Sequence, residues 1–147
     1  MTREKTVSKI IEIKEFNKEQ LEAEAKNVRE RLNREQAKLD ALEQEYKKTN
    51  ADLAGKQAGG TMPANEVELF YTYLKHLGTQ IELQKSVVVL HIAELEKKQN
   101  AMVEAYKEQR VFELLHDKIL QGQAKEIMHG EQKEADYTFL CRKAKHE

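Results

Sequence analysis

Residues 55–65 read Gly55-Lys-Gln-Ala-Gly-Gly-Thr-Met-Pro-Ala-Asn65, and they hold three of the six glycines and the only proline of a 147-residue chain. Gly59-Gly60 gives a helix no side chains and the largest loss of backbone entropy, and Pro63 cannot sit inside a helix without breaking it. Asn65 comes next with Glu68 three positions on, the spacing of a capping box that opens a new helix. Outward from this break the chain is uninterrupted. Residues 4–54 contain neither Gly nor Pro, and residues 66–121 contain only Gly78. The expectation is a single domain over 1–147, with helix one at about 4–54, a loop at 55–65 and helix two at about 66–145.

The period of the apolar residues says how these helices are used. In the first, Ile11, Ala25, Leu32, Leu39, Tyr46 and Leu53 share one seven-residue ladder, and Val7, Leu21, Val28, Leu42 and Thr49 share another. In the second, Val67, Leu74, Ile81, Val88, Leu95, Met102 and Gln109 form one ladder, and Phe70, Leu77, Gln84, His91, Lys98, Ala105 and Phe112 its companion. Spacing of three and four sustained over some six heptads is a coiled-coil seam. If the loop folds the chain back, positions whose numbers add to 119 or 120 face each other. Leu53 then meets Val67, Tyr46 meets Leu74, Leu42 meets Leu77, Leu39 meets Ile81 and Val28 meets His91. Glu35 with Gln84 is polar on both sides, a device that fixes register at some cost in stability. Lys14, Lys18 and Lys98 thin the seam away from the loop.

The fold class expected is therefore all-α: two long helices in an antiparallel coiled-coil hairpin. At about 1.5 Å per residue, helix one is roughly 75 Å long and helix two roughly 120 Å, so the second overhangs its partner by about thirty residues. The overhang carries Leu114, Leu115, Ile119, Ile127, Met128 and Phe139. A lone amphipathic helix is marginal in water, so this stretch is a candidate for ordering on a partner.

Composition closes off other classes. Lys and Arg number 25 and Asp and Glu 26, 39% of residues are hydrophobic and 6% aromatic, and Trp is absent. That is too little apolar material for several packed faces of a compact enzyme. The net charge of -1, with both signs interspersed, disfavours nucleic acid as a ligand. The longest aliphatic run, Val87-Val88-Val89-Leu90, is far short of a membrane span, residues 1–20 lack a signal-peptide core, and Cys141 has no internal partner. A soluble, reduced, cytoplasmic protein is expected. His76, His91, His116, His129 and His146 share no metal-ligand spacing, Gly55-Lys56 lacks the frame of a phosphate loop, and a helix pair has no pocket to desolvate a carboxylate pair. No catalytic, metal-binding or cofactor-binding residue is expected, and the protein is read as a non-enzyme. What remains is surface. Leu69-Phe70-Tyr71-Thr72-Tyr73-Leu74 puts three of nine aromatic residues into four positions, either as seam and flanking packing or as an aromatic docking patch.

The assembled pattern resembles the FliJ family of flagellar type III export proteins. The likeness rests on Lys9-Ile-Ile-Glu-Ile-Lys-Glu15, on Leu69-Phe-Tyr-Thr-Tyr-Leu-Lys-His-Leu77 followed by Ile81 and Gln84, on Arg110-Val-Phe-Glu-Leu-Leu115, and on Glu131-Gln-Lys-Glu-Ala-Asp136. It implies an antiparallel coiled coil similar to the central stalk of the rotary F1 ATPase. By that resemblance the chain binds the hexameric flagellar export ATPase, promotes its assembly and turnover, contacts the cytoplasmic domain of the export gate, and handles export chaperones. The gate-facing residues would be Leu39, Leu42, Tyr46, Tyr73, Leu77 and Gln80, where Gln80 is a weak match and Leu42 stands where an aromatic also occurs in relatives. The ATPase-facing residues would be Ile10, Ile11, Ile13 and Phe16 with Val111, Phe112, Leu115, Ile119 and Phe139. A seam satisfied within one chain is expected to leave it monomeric when free, and no nucleic acid or cofactor is expected. The resemblance implies that it meets the cytoplasmic face of the inner membrane at the flagellar base only through partners.

Other readings share this physics. A prefoldin-type holdase would need strand hairpins that residues 55–65 are too short to hold, and a tRNA-binding arm would need a basic face. The stalk of a virulence type III secretion system, a helical chaperone, or a coiled-coil scaffold or adaptor remain as alternatives.

Overall fold

The first helix ends where the backbone turns left-handed. In the computed structural model, which describes residues 2–146, α1 spans Arg3–Ala58 and α2 spans Ala64–His146. Gly60 has φ of 91°, a conformation that L side chains avoid, and its N–H donates to the Gln57 carbonyl at 3.2 Å. The Gly59 N–H donates to the Gly55 carbonyl at 3.3 Å, so carbonyls of the last turn are satisfied. Pro63 immediately precedes α2, and its carbonyl accepts from the N–H groups of Glu66 and Val67 at 3.1 and 3.2 Å. The turn is thus shorter than the expected 55–65. Gly55 stays helical because a single interior glycine weakens a helix by about 1 kcal/mol without ending it. Asn65 lies within the first turn of α2, where its Oδ1 accepts from the Glu66 N–H at 3.1 Å. The described residues are 96% helical and include no strand, the two-helix class the heptads imply.

The contacts fall into two units. The first is Leu21–Ala101, in which the helices run antiparallel. Its cross-helix contacts descend in α1 as they ascend in α2: Lys56 with Glu66, Glu45 with Tyr73, Glu35 with Gln84, and Glu24 with Lys98. Eight buried apolar residues lie here: Ala25, Val28, Leu39, Leu53, Leu74, Leu77, Ile81 and Val88. Leu39, Ile81 and Val88 form one cluster with Leu32 and Leu42 packed on it, and Val28 is 1% exposed. Each of the Val, Leu and Ile side chains among them contributes about 1.5–3 kcal/mol on full burial, so this unit carries most of the apolar stabilisation. The polar layer is built as a bonded pair. Gln84 Nε2 donates to the Glu35 carboxylate at 2.6 Å and to the Glu35 backbone carbonyl at 2.9 Å.

The second unit comprises the described residues of Met1–Gln20 and Met102–Glu147. Among them only Val7 is a buried apolar residue, joined by the buried polar Gln109. Lysines in the seam send their ammonium groups sideways over buried stems. Lys14 Nζ is 2.8 Å from Glu108 and 5.8 Å from the Phe112 ring centroid, and Lys18 Nζ is 5.8 Å from that of Tyr106. Glu4 and His116 approach to 3.3 Å where α1 begins. Beyond that level α2 has nothing to pack against: every residue from Leu120 to His146 is exposed. No helix of the described residues is long and apolar enough to cross a membrane.

Candidate functional site

The gate-facing residues all lie in the Leu21–Ala101 unit, and their heptad positions sort them into buried and accessible. Leu39 and Leu77 are closed inside the seam and Leu42 is half-buried, while Gln80 is exposed. Tyr46 occupies a seam position yet is 36% exposed, because its ring outsizes the layer and its hydroxyl reaches water. Tyr73 stands beside the seam at 42% exposed and donates from its hydroxyl to Glu45 Oε1 at 3.3 Å. Partial burial pushes its phenol above the ordinary range, and the charge and hydrogen bond of Glu45 push the same way. The phenol therefore remains a donor at neutral pH.

The structure adds a groove that sequence reasoning did not assemble. Tyr46 and Asn50 of α1, with Tyr71, Leu74, Lys75, Gly78, Thr79 and Glu82 of α2, line an open hollow of about 640 Å³. Gly78 explains the hollow: apart from the local backbone of α2, no atom lies within 4 Å of the place a Cβ would occupy. The glycine is therefore not demanded by close approach of the helices. It leaves a gap between the aromatic walls of Tyr46 and Tyr71. The sequence signal was present, since Gly78 is the only glycine in residues 66–121. Tyr73 is not part of this hollow; two residues along a helix from Tyr71, it faces the opposite flank, where Glu45 holds it.

The ATPase-facing residues lie in the second unit and are only partly gathered. Ile10, Ile11, Phe112, Leu115 and Ile119 are half-buried between the helices, and Ile13, Phe16 and Val111 point outward among them. Phe139 stands apart, twenty residues or about 30 Å of helix beyond Ile119, in the stretch with no packing partner. Ile127, Met128, Tyr137 and Leu140 share that stretch, and together with Phe139 they are 61–71% exposed. Among the described residues no group of three or more His, Cys, Asp or Glu side chains is placed to hold a metal ion.

No curated protein and no solved structure matches the chain. Residues 4–138 match the family model described as the flagellar FliJ protein, and the chain belongs to this family of the flagellar type III export system.

Proposed function

We propose that the chain is a non-enzymatic, cytoplasmic component of the flagellar export apparatus that binds the hexameric export ATPase as a stalk and promotes its assembly and turnover. The observation that carries this reading is the helix from Leu120 to His146, which exposes Leu120, Ile127, Met128, Tyr137, Phe139 and Leu140 and has no partner among the described residues. An exposed helix with this many large apolar side chains is a feature of partner-binding segments. The half-buried apolar residues at the start of α1 and around Phe112 supply the rest of the ATPase-facing surface in the same unit.

Contacts with the cytoplasmic domain of the export gate and with export chaperones belong to the same proposal. Tyr46, Tyr73 and Gln80 are accessible to the gate, and Leu39, Leu42 and Leu77 act by fixing the helices that present them. Exposed tyrosines on a rigid backbone bind at low entropic cost.

The test is ATP hydrolysis by the cognate export ATPase, with its hexamer content measured alongside, in the presence of the full chain and of a chain ending at Leu120. The full chain should raise both turnover and hexamer, and the shortened chain should lose most of that effect while keeping its helix pair. Equal stimulation by both chains, or none by either, overturns the stalk reading. For the gate, Tyr73→Ala should weaken binding with helicity unchanged, and a collapse in helicity would mean that Tyr73 is core.

A further inference from the structure

The outward face of α2 between Leu69 and Ala93 differs from the rest of the chain. Residues 69–93 hold three charged residues, whereas residues 27–51, the stretch of α1 packed beside them, hold eleven. Lys75 and Glu82 lie on the groove flank of α2, and Lys85 follows at helical spacing on the same side. On the opposite flank, Leu69, Tyr73, His76, Gln80, Leu83, Val87 and Leu90 succeed one another at alternating intervals of four and three. That is coiled-coil spacing, and it is a second seam. The first runs through Leu74, Leu77, Ile81 and Val88 and is buried against α1. The second is open, with Leu69, Leu83 and Leu90 exposed by 69%, 58% and 70%. In the neighbouring row, Thr79 and Ser86 donate from their hydroxyls to the carbonyls of Lys75 and Glu82 one turn back, at 3.1 and 3.2 Å. The donors of those hydroxyls are thus satisfied within the helix.

In a chain with 35% charged residues, a helix face left to solvent is expected to carry charge. An uncharged ladder with this spacing is complementary to another α-helix. We propose that the Leu69–Leu90 face of α2 mediates antiparallel self-association, a second copy of the chain laying the same ladder against the first about a two-fold axis beside Gln80. A two-fold contact requires a patch complementary to itself. Here Leu69 meets the partner's Leu90, Tyr73 the partner's Val87 and His76 the partner's Leu83. No Lys, Arg, Asp or Glu in the ladder is set against its own kind. The residue on the axis is Gln80, whose amide both donates and accepts and so pairs with the partner's Gln80.

The size of the contact sets its strength. The ladder covers 22 residues, about 33 Å of a helix about 10 Å across, which gives on the order of 330 Å² per copy. Roughly 650 Å² in total lies below the size of a stable interface, so the association is weak and transient rather than a permanent dimer.

Sedimentation equilibrium of the full chain from about 5 µM to about 500 µM tests this. The mass should rise from one copy toward two, and Leu83→Lys or Leu90→Glu should raise the dissociation constant more than tenfold with unchanged helicity. Lys75→Glu, on the other flank, should leave it unchanged. In a Cys141→Ser background, Leu69→Cys mixed with Leu90→Cys should form the mixed disulfide in excess over either homodisulfide. A chain monomeric across the range overturns the proposal and leaves the ladder to a helix of another protein. So does association insensitive to Leu83→Lys and Leu90→Glu, and a predominance of homodisulfides overturns the antiparallel arrangement.

Discussion

Replacing Gly78 with Ala separates what α2 needs for stability from what the groove needs for docking. Gly78 sits well inside α2, half-buried, with open space on every side of the point where a methyl would project. Alanine there introduces no clash. It also removes the excess freedom glycine has in the unfolded chain, worth about 0.8–1 kcal/mol in a helix interior. With no side chain within 4 Å, the added methyl gains no packing contact to go with this. The result is about 1 kcal/mol of stabilisation, or a rise of about 3 °C in Tm for a chain of this size. The same methyl stands on the floor of the groove. A partner side chain seated there must move or be squeezed, and overpacking of that kind costs about 1–3 kcal/mol, tenfold or more in affinity. Thermal and urea unfolding followed by circular dichroism gives the first quantity, and titration calorimetry with the cytoplasmic gate domain gives the second. A fall in stability refutes the reasoning about open space. A rise in stability with gate affinity unchanged refutes a part for the groove in docking.

Other outcomes follow from the same geometry. Leu39→Ala opens the Leu39–Ile81–Val88 cluster and should cost about 2–4 kcal/mol in urea unfolding, whereas Leu90→Ala, on the exposed ladder, should stay within about 0.5 kcal/mol. Cysteines at Leu42 and Leu77 in a Cys141→Ser background should crosslink within one chain, and purely intermolecular product would contradict the intrachain seam. The hydrogen bond from Gln84, and after it that from Lys38, holds the Glu35 carboxyl below its ordinary value of 4.5. A carboxyl with a lowered folded-state value contributes stability that is present above the unfolded value and lost as pH falls through the folded one. Acid unfolding of Gln84→Ala should therefore show a shallower loss below about pH 4.5 than the parent chain. Tyr73 and Gln80 belong both to the self-association ladder and to the gate-facing set, so adding gate domain to a concentrated sample should release single copies, read as a fall in self-associated mass.

The buried seam was legible because a three-four spacing is a property of sequence alone. Val28, Leu39, Ile81 and Val88 were placed by it, and so was the Glu35–Gln84 layer, whose two polar residues fall on facing ladder positions. The edges of the turn were less legible. Gly55 could not announce that it stays helical, because the outcome depends on the favourable turn geometry at Gly60 rather than on Gly55 itself. The groove was illegible for a different reason. It is made by a missing side chain at Gly78 and by walls from two helices, and their rotation about their axes is known only once they are packed. The second ladder has the same spacing in the sequence, but spacing alone does not say which of two parallel ladders faces α1, and only the packing of Leu74, Leu77 and Ile81 leaves Leu69, Leu83 and Leu90 outside.

The helix from Leu120 to His146 bears on how long a free copy survives. Its backbone hydrogen bonds are held by no tertiary contact, so it opens far more often than the buried seam, and proteases cut what opens. A partner that covers Ile127, Tyr137 and Phe139 would close those sites. Unassembled copies would then be degraded from this end while assembled ones persisted, and abundance would follow the number of docking places rather than the rate of synthesis. Limited proteolysis should show the first cuts between Leu120 and His146.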